Sequence, residues 1–366
     1  MKITFRLPLQ RDIIIFDREC SNEIVENLFK DNYKYFILDN HPRLIYLNPL
    51  FIIQFIYLLI KRLNFREKIK RQVFHIYILN IVRYIKPKLI ITFIDNNSIY
   101  SWLTQNHNEC EFIAIQNGLR QRCDSAELST LNHQHFYCFG DYDIKKHSEF
   151  GCTIDKGYPV GSFRAGLVLS NHEFVKKKYD ICIISSDGRQ NPNAIQKTND
   201  RIAAINNRKI DKIIKKYISD NNLQLVVALS TDNNYEKNYY KSVFGENVDM
   251  KERRDSLSTY ETIRMSNVSV SFMSTMILET IALGNKGVSI HFEDTNLYFD
   301  YPKTVRYLYK DYALFSKYMN ELLQMTDSEY TKEIKNTRKD VMNNDSNNPP
   351  HKIIKKHIEN IIENIR

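Results

Sequence analysis

The chain has 366 residues, 43% hydrophobic and 26% charged, enough to bury a sizeable core without a metal or disulfide framework and too apolar for wholesale disorder. Its 52 basic and 43 acidic residues leave a net charge of +9, which favours anionic partners (nucleotide phosphates, nucleic acid or anionic lipid) without choosing among them. Six cysteines without a CxxC pair argue against a zinc ribbon or a secreted disulfide scaffold, and residues 1–10 lack the apolar run and cleavage site of a signal peptide.

Asp12 to Asp17 reads as a short buried strand, Asn22 to Phe29 as a helix and Tyr35 to Leu38 as a second strand. Leu50 to Leu63 and Lys68 to Ile85 are predicted long helices, interrupted at Pro87. The segment Leu44 to Ile60 carries no charge and is followed at once by Lys61, Arg62, Arg66, Lys68, Lys70 and Arg71. A buried helix is the default for such a stretch; a helix docked on an anionic membrane face is the sharper alternative, and a true span the least favoured. Leu89 to Ile94 is the clearest strand of this half and ends in Asp95-Asn96-Asn97-Ser98, with a helix following through Trp102. Strands Glu111 to Ile115 and Phe136 to Phe139 end at Gln116-Asn117-Gly118 and Gly140-Asp141; a helix over 141–149 and a short segment Gly157 to Gly161 close the unit.

His172 to Lys178 reads as a linker. The second half repeats the logic: strand Tyr179 to Ser185, helix Asp200 to Ile218, strand Leu223 to Leu229, helix Tyr260 to Met265, strand Val268 to Phe272, helix Ser274 to Leu283 and strand Gly287 to His291. Helices over 313–325, 329–340 and 350–365 finish the chain. Strands that end in small polar residues, with helices between them, predict mostly parallel α/β sheets whose binding crevice lies beyond the strands' carboxyl ends.

The strongest local unit is Ser271 to Thr280, with Ser274 and Thr275 at a helix start and Glu279 further along. Unpaired backbone N–H groups there could hold a phosphate, and the carboxylate could accept from ribose hydroxyls; a plain N-cap with a surface glutamate would look the same. Ser185-Ser186-Asp187-Gly188-Arg189 could likewise approach a diphosphate, or be only a turn. Amides at Asn96, Gln116, Asn117 and Gly118 could position sugar hydroxyls, and Asp17, Glu19, Asp95 and Asp141 are the candidate general bases. Gly161-Ser162-Phe163-Arg164 could present backbone amides at a cleft or be a turn. No GxGxxG after a strand, P-loop, HExxH or GxSxG occurs, which disfavours a Rossmann dehydrogenase, a P-loop NTPase, a zincin and an α/β-hydrolase. Asp141 and Asp143 have DxD spacing, but no metal is assigned to them. The dispersed basic residues show no helix-turn-helix or RNA-binding sheet, so no nucleic-acid partner is expected.

The runs Phe112 to Gly118, Phe136 to Tyr142, Tyr158 to Ser162 and Val268 to Lys286, in that order, resemble bacterial surface-carbohydrate biosynthesis proteins of the GT-B glycosyltransferase type. The same order occurs in capsule transferases that handle Kdo and in teichoic-acid glycerophosphate polymerases. The resemblance implies two Rossmann-like domains facing a central cleft, with C-terminal helices: an acceptor-side domain over 1–170, a nucleotide-sugar-binding domain over 178–345 and a helix over 350–366 that could cross back to the first. It implies that Ser274 and Thr275 meet the donor phosphates, that Glu279 meets the ribose, that Gln116 and Asn117 line the acceptor side, and that no metal or other cofactor is needed. The chain departs from the glycerophosphate polymerases in lacking their Asp-Tyr-Ser-Ser string at Ser271 to Thr275 and a basic or histidine residue at Ser230, which favours sugar over polyol-phosphate transfer.

The expected activity is transfer of a sugar from a nucleotide-sugar donor, of unspecified base, to a surface-glycan or lipid-linked acceptor. The expected donor contacts are Ser186, Arg189, Ser271, Ser274, Thr275 and Glu279; the acceptor-side residues are Asn96, Gln116, Asn117, Gly118, Asp141 and Ser162. Asp17 is the first choice of base, ahead of Glu19 and Asp95. A cytoplasmic setting at the inner membrane face is expected. The alternatives are a non-hydrolysing sugar-nucleotide epimerase, a polyol-phosphate transferase and a non-catalytic glycan- or membrane-binding assembly protein.

Overall fold

The computed structural model describes residues 2–29, 32–39, 44–64, 68–120, 128–170, 175–186, 198–231, 233–272, 274–292 and 304–364. Two six-stranded sheets, each parallel throughout, form its frame.

In the first lobe the elements run β1 (Lys2–Thr4), β2 (Ile13–Phe16), α1 (Ser21–Ile24, continued as a π turn over Val25–Phe29), β3 (Tyr35–Leu38), β4 (Leu44–Tyr46), α2 (Pro49–Arg62) and α3 (Ile69–Ile85). They continue as β5 (Leu89–Thr92), α4 (Ser98–Asn106), β6 (Glu111–Ile115), β7 (Asn132–Cys138), α5 (Asp141–Glu149), β8 (Thr153–Pro159) and α6 (Phe163–Ser170). The sheet order is β3-β2-β5-β6-β7-β8, with β1 and β4 paired separately. Strands β2 and β5 are buried at every position. That explains their unbroken Ile-rich sequences, since a parallel strand covered on both faces has no reason to alternate.

The second lobe contains β9 (Tyr179–Ile184), α7 (Thr198–Asn221), β10 (Leu225–Ala228), α8 (Asn234–Phe244), β11 (Asp249–Lys251), α9 (Ser258–Arg264), β12 (Ser266–Ser271), α10 (Met276–Ala282), β13 (Lys286–His291) and β14 (Arg306–Leu308). Its order, β11-β10-β9-β12-β13-β14, is that of a Rossmann sheet, with the reversal between β9 and β12. Helices α11 (Tyr312–Gln324), α12 (Asp327–Glu333), α13 (Lys335–Val341) and α14 (Pro350–Asn364) follow. Ile354, Ile358, Ile361 and Ile362 form one face of α14 and join the core of Ile13, Ile15, Leu28, Phe29, Leu89 and Ile91, so the last helix packs on the first sheet.

Several expectations needed revision. The first strand stops at Phe16 because Asp17 turns to φ +82°. The helix expected over 329–340 is two, broken at Ile334. Strand β8 starts at Thr153, four residues before the expected segment; Gly157 and Pro159 disguise it, which an edge position tolerates. Helix α8 was unforeseen, because it buries little beyond Glu236 and Tyr240 and shows no broad apolar stripe.

The return to α14 depends on Gly161, at φ +93°, where an added Cβ would lie 2.2 Å from Asn344 Oδ1. Asn344 brackets the neighbouring residue: Ser162 N donates to its Oδ1 at 2.9 Å and its Nδ2 donates to Ser162 O at 3.1 Å. Gly161→Ala is therefore expected to lower unfolding stability by about 1–3 kcal/mol, measured by urea denaturation.

Candidate active site

A cavity of about 310 Å³ lies between the lobes, at the carboxyl ends of strands from both sheets. The first lobe contributes Glu19 (after β2), Asn117 (after β6) and Arg164 (in α6). The second contributes Ser185 and Ser186 after β9, Ser230 after β10, Arg253, Ser256, Thr259 and Tyr260 around the start of α9, and Ser274, Thr275, Met276 and Glu279 around the start of α10. Ends of parallel strands beside a topological switch point are where such sheets bind ligands.

Glu279 is the best-defined group. Its Oε1 accepts from the Tyr260 hydroxyl at 2.8 Å and from the Ser162 hydroxyl of the opposite lobe. Its Oε2 accepts no hydrogen bond among the described residues, and Glu279 lines the cavity. Burial raises the carboxyl above its ordinary value, against the two hydroxyl donors and the Arg164 charge. The lobes also meet where Leu119 N donates to Thr275 Oγ1 at 3.1 Å and where the Ser256 hydroxyl donates to Glu23. The Thr275 hydroxyl is thus already used by the protein, and Gly118 approaches it so closely that an added Cβ would lie 3.3 Å from Oγ1.

Among the described residues two cations reach the cavity. Arg164 stacks 4.5 Å from the Phe93 ring centroid, with Nη2 3.5 Å from Glu19 Oε1 and Nε unpartnered among the described residues. Arg253 is exposed at the rim and makes no ion pair among the described residues. Behind the serines, the buried Glu236 carboxylate accepts five hydrogen bonds from Ser185, Ser230 and Thr231, holding together the turns that end β9 and β10.

The other sequence-selected residues divide by position. Ser186 lines the cavity, as do Ser274, Asn117 and Glu19. Ser271 does not: it is fully buried, and its hydroxyl donates to Ile184 O, tying β12 to β9. Arg189 lies outside the described residues. Asp17 turns its carboxylate back onto its own chain, accepting from the backbone N–H groups of Arg18 and Glu19. Asp141 sits exposed at the start of α5, and Asn96 is half-buried; neither lines the cavity. Ser162 reaches it only through Glu279.

Asp95 and Gln116 belong to a polar cluster behind the cleft. Asp95 is completely buried and accepts from Arg120 Nε at 2.9 Å and from Asn117 N at 3.1 Å. Burial works against its charge, but Arg120 and His147 outweigh that and hold the carboxyl well below its usual range. A base must be able to take up a proton, so Asp95 is better suited to fixing the turn that carries Asn117. Gln116 bridges Gly118 O, Asp143 Oδ1 and Phe139 N.

Asp143 behaves in the opposite way. Burial raises it from 3.8 to about 6, against the hydrogen bond from Gln116, and its Oδ2 has no partner among the described residues. A carboxyl raised in the folded state favours the protonated form. Its stabilising contribution is complete below about pH 4 and is lost as pH rises through about 6. Asp143→Asn keeps the acceptor for Gln116 and removes the ionisation. The variant should gain about 2–3 kcal/mol on the wild type between pH 4 and pH 8, read from thermal unfolding at both.

Sequence reasoning missed Arg164, Arg253, Tyr260 and Glu236. Arg164 was visible as the last residue of Gly161-Ser162-Phe163-Arg164; the other three are isolated residues that only the tertiary fold brings to the cleft.

Two parallel Rossmann-like sheets facing a cleft, with C-terminal helices, are the GT-B architecture. Solved structures with this fold resemble the chain over nearly its whole length. They include S. aureus MnaA with UDP (TM-score 0.57, 12% identity, 99% of this chain and 96% of that one). They also include the Methanocaldococcus jannaschii UDP-GlcNAc 2-epimerase in complex with UDP-GlcNAc and UDP (0.52, 12%, 92% and 99%). A third is the wall teichoic acid polymerase TagF soaked with CDPG (0.54, 10%, 97% and 90%). At these identities the likeness defines the fold. No curated protein sequence matches the chain. A family model described as "putative O-antigen biosynthesis protein" matches residues 113–358, well over half of the chain, and the protein belongs to that family. Among the described residues no helix is long and apolar enough to cross a membrane.

Proposed function

We propose that the protein transfers a sugar from a nucleotide-sugar donor to a surface-glycan acceptor. The observation that carries this reading is the composition of the interlobe cavity among the described residues: hydroxyls at the ends of β9 and β10, the exposed Arg253 and two carboxylates from opposite lobes, Glu19 and Glu279. In this reading Arg253 and Arg164 neutralise the donor diphosphate, and Ser186 and Ser274 donate to it. Glu279 Oε2 accepts from the ribose. Asn117 orients the acceptor.

Glu19 takes the proton from the acceptor hydroxyl as that oxygen bonds to the anomeric carbon. The bond from the anomeric carbon to the phosphate oxygen breaks, and the nucleotide leaves with the electron pair. Cations fixed beside the departing phosphate supply the stabilisation that a metal supplies elsewhere. Glu19 is placed ahead of Asp17 and Asp95 because it alone of the three lines the cavity.

A pair of carboxylates in one cavity also suits epimerisation of the nucleotide sugar, which needs proton removal and return at one carbon. The product separates the two. Incubation with a panel of nucleotide sugars, with and without a glycan acceptor, followed by mass spectrometry and NMR, should give free nucleotide only when acceptor is present. An epimerised nucleotide sugar formed without acceptor would establish the second reading, and no turnover of any donor would count against both.

A further inference from the structure

We infer that the outer face of α2, with the N-terminal arm beside it, docks on an anionic lipid surface. This rests on α2 itself and not on the donor site. The helix is apolar on both sides: its inner side buries Phe51 and Leu58, and its outer side is apolar too. Leu50, Ile53, Tyr57 and Ile60 recur at intervals that keep them on one face, and they are 61%, 64%, 57% and 81% exposed. Ile56 stands beside them, 49% exposed.

The arm extends this surface. Asn48, the N-cap of α2, donates from Nδ2 to Phe5 O at 3.0 Å, which ties the 70%-exposed Phe5 to the start of the helix. The exposed Ile3 lies two residues before it, in β1, which pairs with β4 just ahead of α2. Contiguous exposed apolar surface of this kind marks an interaction site.

Charge selects the partner. Exposed Lys2 and Arg6 flank one end, and exposed Lys61, Lys68, Lys70 and Arg71 follow the other. Residues 2–11, 44–64 and 68–94 contain no aspartate or glutamate. A second copy of the chain would face this patch with the same cations, because a two-fold interface is self-complementary, and would be repelled. An anionic bilayer meets both requirements at once: acyl chains for the aliphatic and aromatic side chains, headgroups for the lysines and arginines. With 14 residues, α2 is about 21 Å long, short of the roughly 30 Å hydrocarbon core, so it lies on the surface and does not span it.

The full chain should co-sediment with vesicles of phosphatidylcholine mixed with phosphatidylglycerol, less so at high salt, and remain in the supernatant with phosphatidylcholine alone. Ile53→Asp combined with Ile60→Asp, and separately Lys68→Glu combined with Lys70→Glu, should each reduce the bound fraction about tenfold or more. Both pairs should melt at the wild-type temperature, because all four residues are exposed. Failure to bind either vesicle overturns the proposal, as does binding that the substitutions leave unchanged. A dimer in light scattering that Ile60→Asp dissociates, without vesicle binding, would assign the face to self-association instead.

Discussion

Glu19→Gln is expected to lower turnover of the donor by about 10²–10⁴-fold, the usual loss when a positioned general base is removed, with nucleotide affinity changed less than about threefold. In the proposed reaction Glu19 is the base because, of Asp17, Glu19 and Asp95, it alone lines the cavity. Asp17 spends its carboxylate on the backbone of its own turn, and Asp95 is clamped by Arg120 in a site where the proton is strongly disfavoured. Glu19 lines the cavity, its side chain is 42% exposed, and its one ion pair among the described residues is a long 3.5 Å contact to Arg164. Glu19→Asp should recover part of the rate, because it retains a carboxylate one methylene further back. Unchanged turnover in Glu19→Gln would remove it from the reaction.

Glu279→Ala should weaken nucleotide binding by about tenfold to a hundredfold and destabilise the fold by about 1–3 kcal/mol. Both effects come from the same carboxylate. Its Oε1 satisfies the Tyr260 and Ser162 hydroxyls, which come from opposite lobes, and its removal leaves both buried donors unpaired. Its Oε2 is the acceptor left for a ligand hydroxyl. Glu279→Gln separates the roles, since it keeps an oxygen for the two protein donors while losing the charge. Calorimetric titration should find binding weakened in both variants, and thermal unfolding should find only the alanine variant clearly destabilised. Equal affinities in all three proteins would place Glu279 in the hinge between lobes and outside the donor site.

Much of the frame was legible because parallel strands announce themselves. Asp12 to Asp17, Leu89 to Ile94 and Tyr179 to Ser185 are apolar runs ending in small polar residues, and the ladders fall within them. The exceptions follow from position: edge strand β8 can carry glycine and proline, and α8 buries too little to show a stripe. Segment 44–60 illustrates the limit of reading hydrophobicity alone. Its default reading was a buried helix, yet Leu50, Ile53, Tyr57 and Ile60 face outward, because burial depends on what packs against a helix.

The site was less legible. Strand ends located the cleft, and Glu19, Asn117, Ser186, Ser274, Thr275 and Glu279 all line it. What a strand end cannot disclose is which way each side chain turns. Ser271 points into the sheet, Asp17 onto its own backbone, and Asp95 toward an arginine 25 residues later in the chain. Arg253 and Tyr260 have no local signature, and their approach to the cavity depends on how α9 packs against the second sheet.

Isothermal titration of UDP, CDP, CMP and GDP into the full chain and into Arg253→Met addresses the cavity most directly. Binding of one of these nucleotides, weakened about tenfold when the rim guanidinium is replaced by an uncharged stem of similar length, is the predicted result. Absence of heat from all four, with the wild-type protein folded, would contradict a nucleotide site between the lobes.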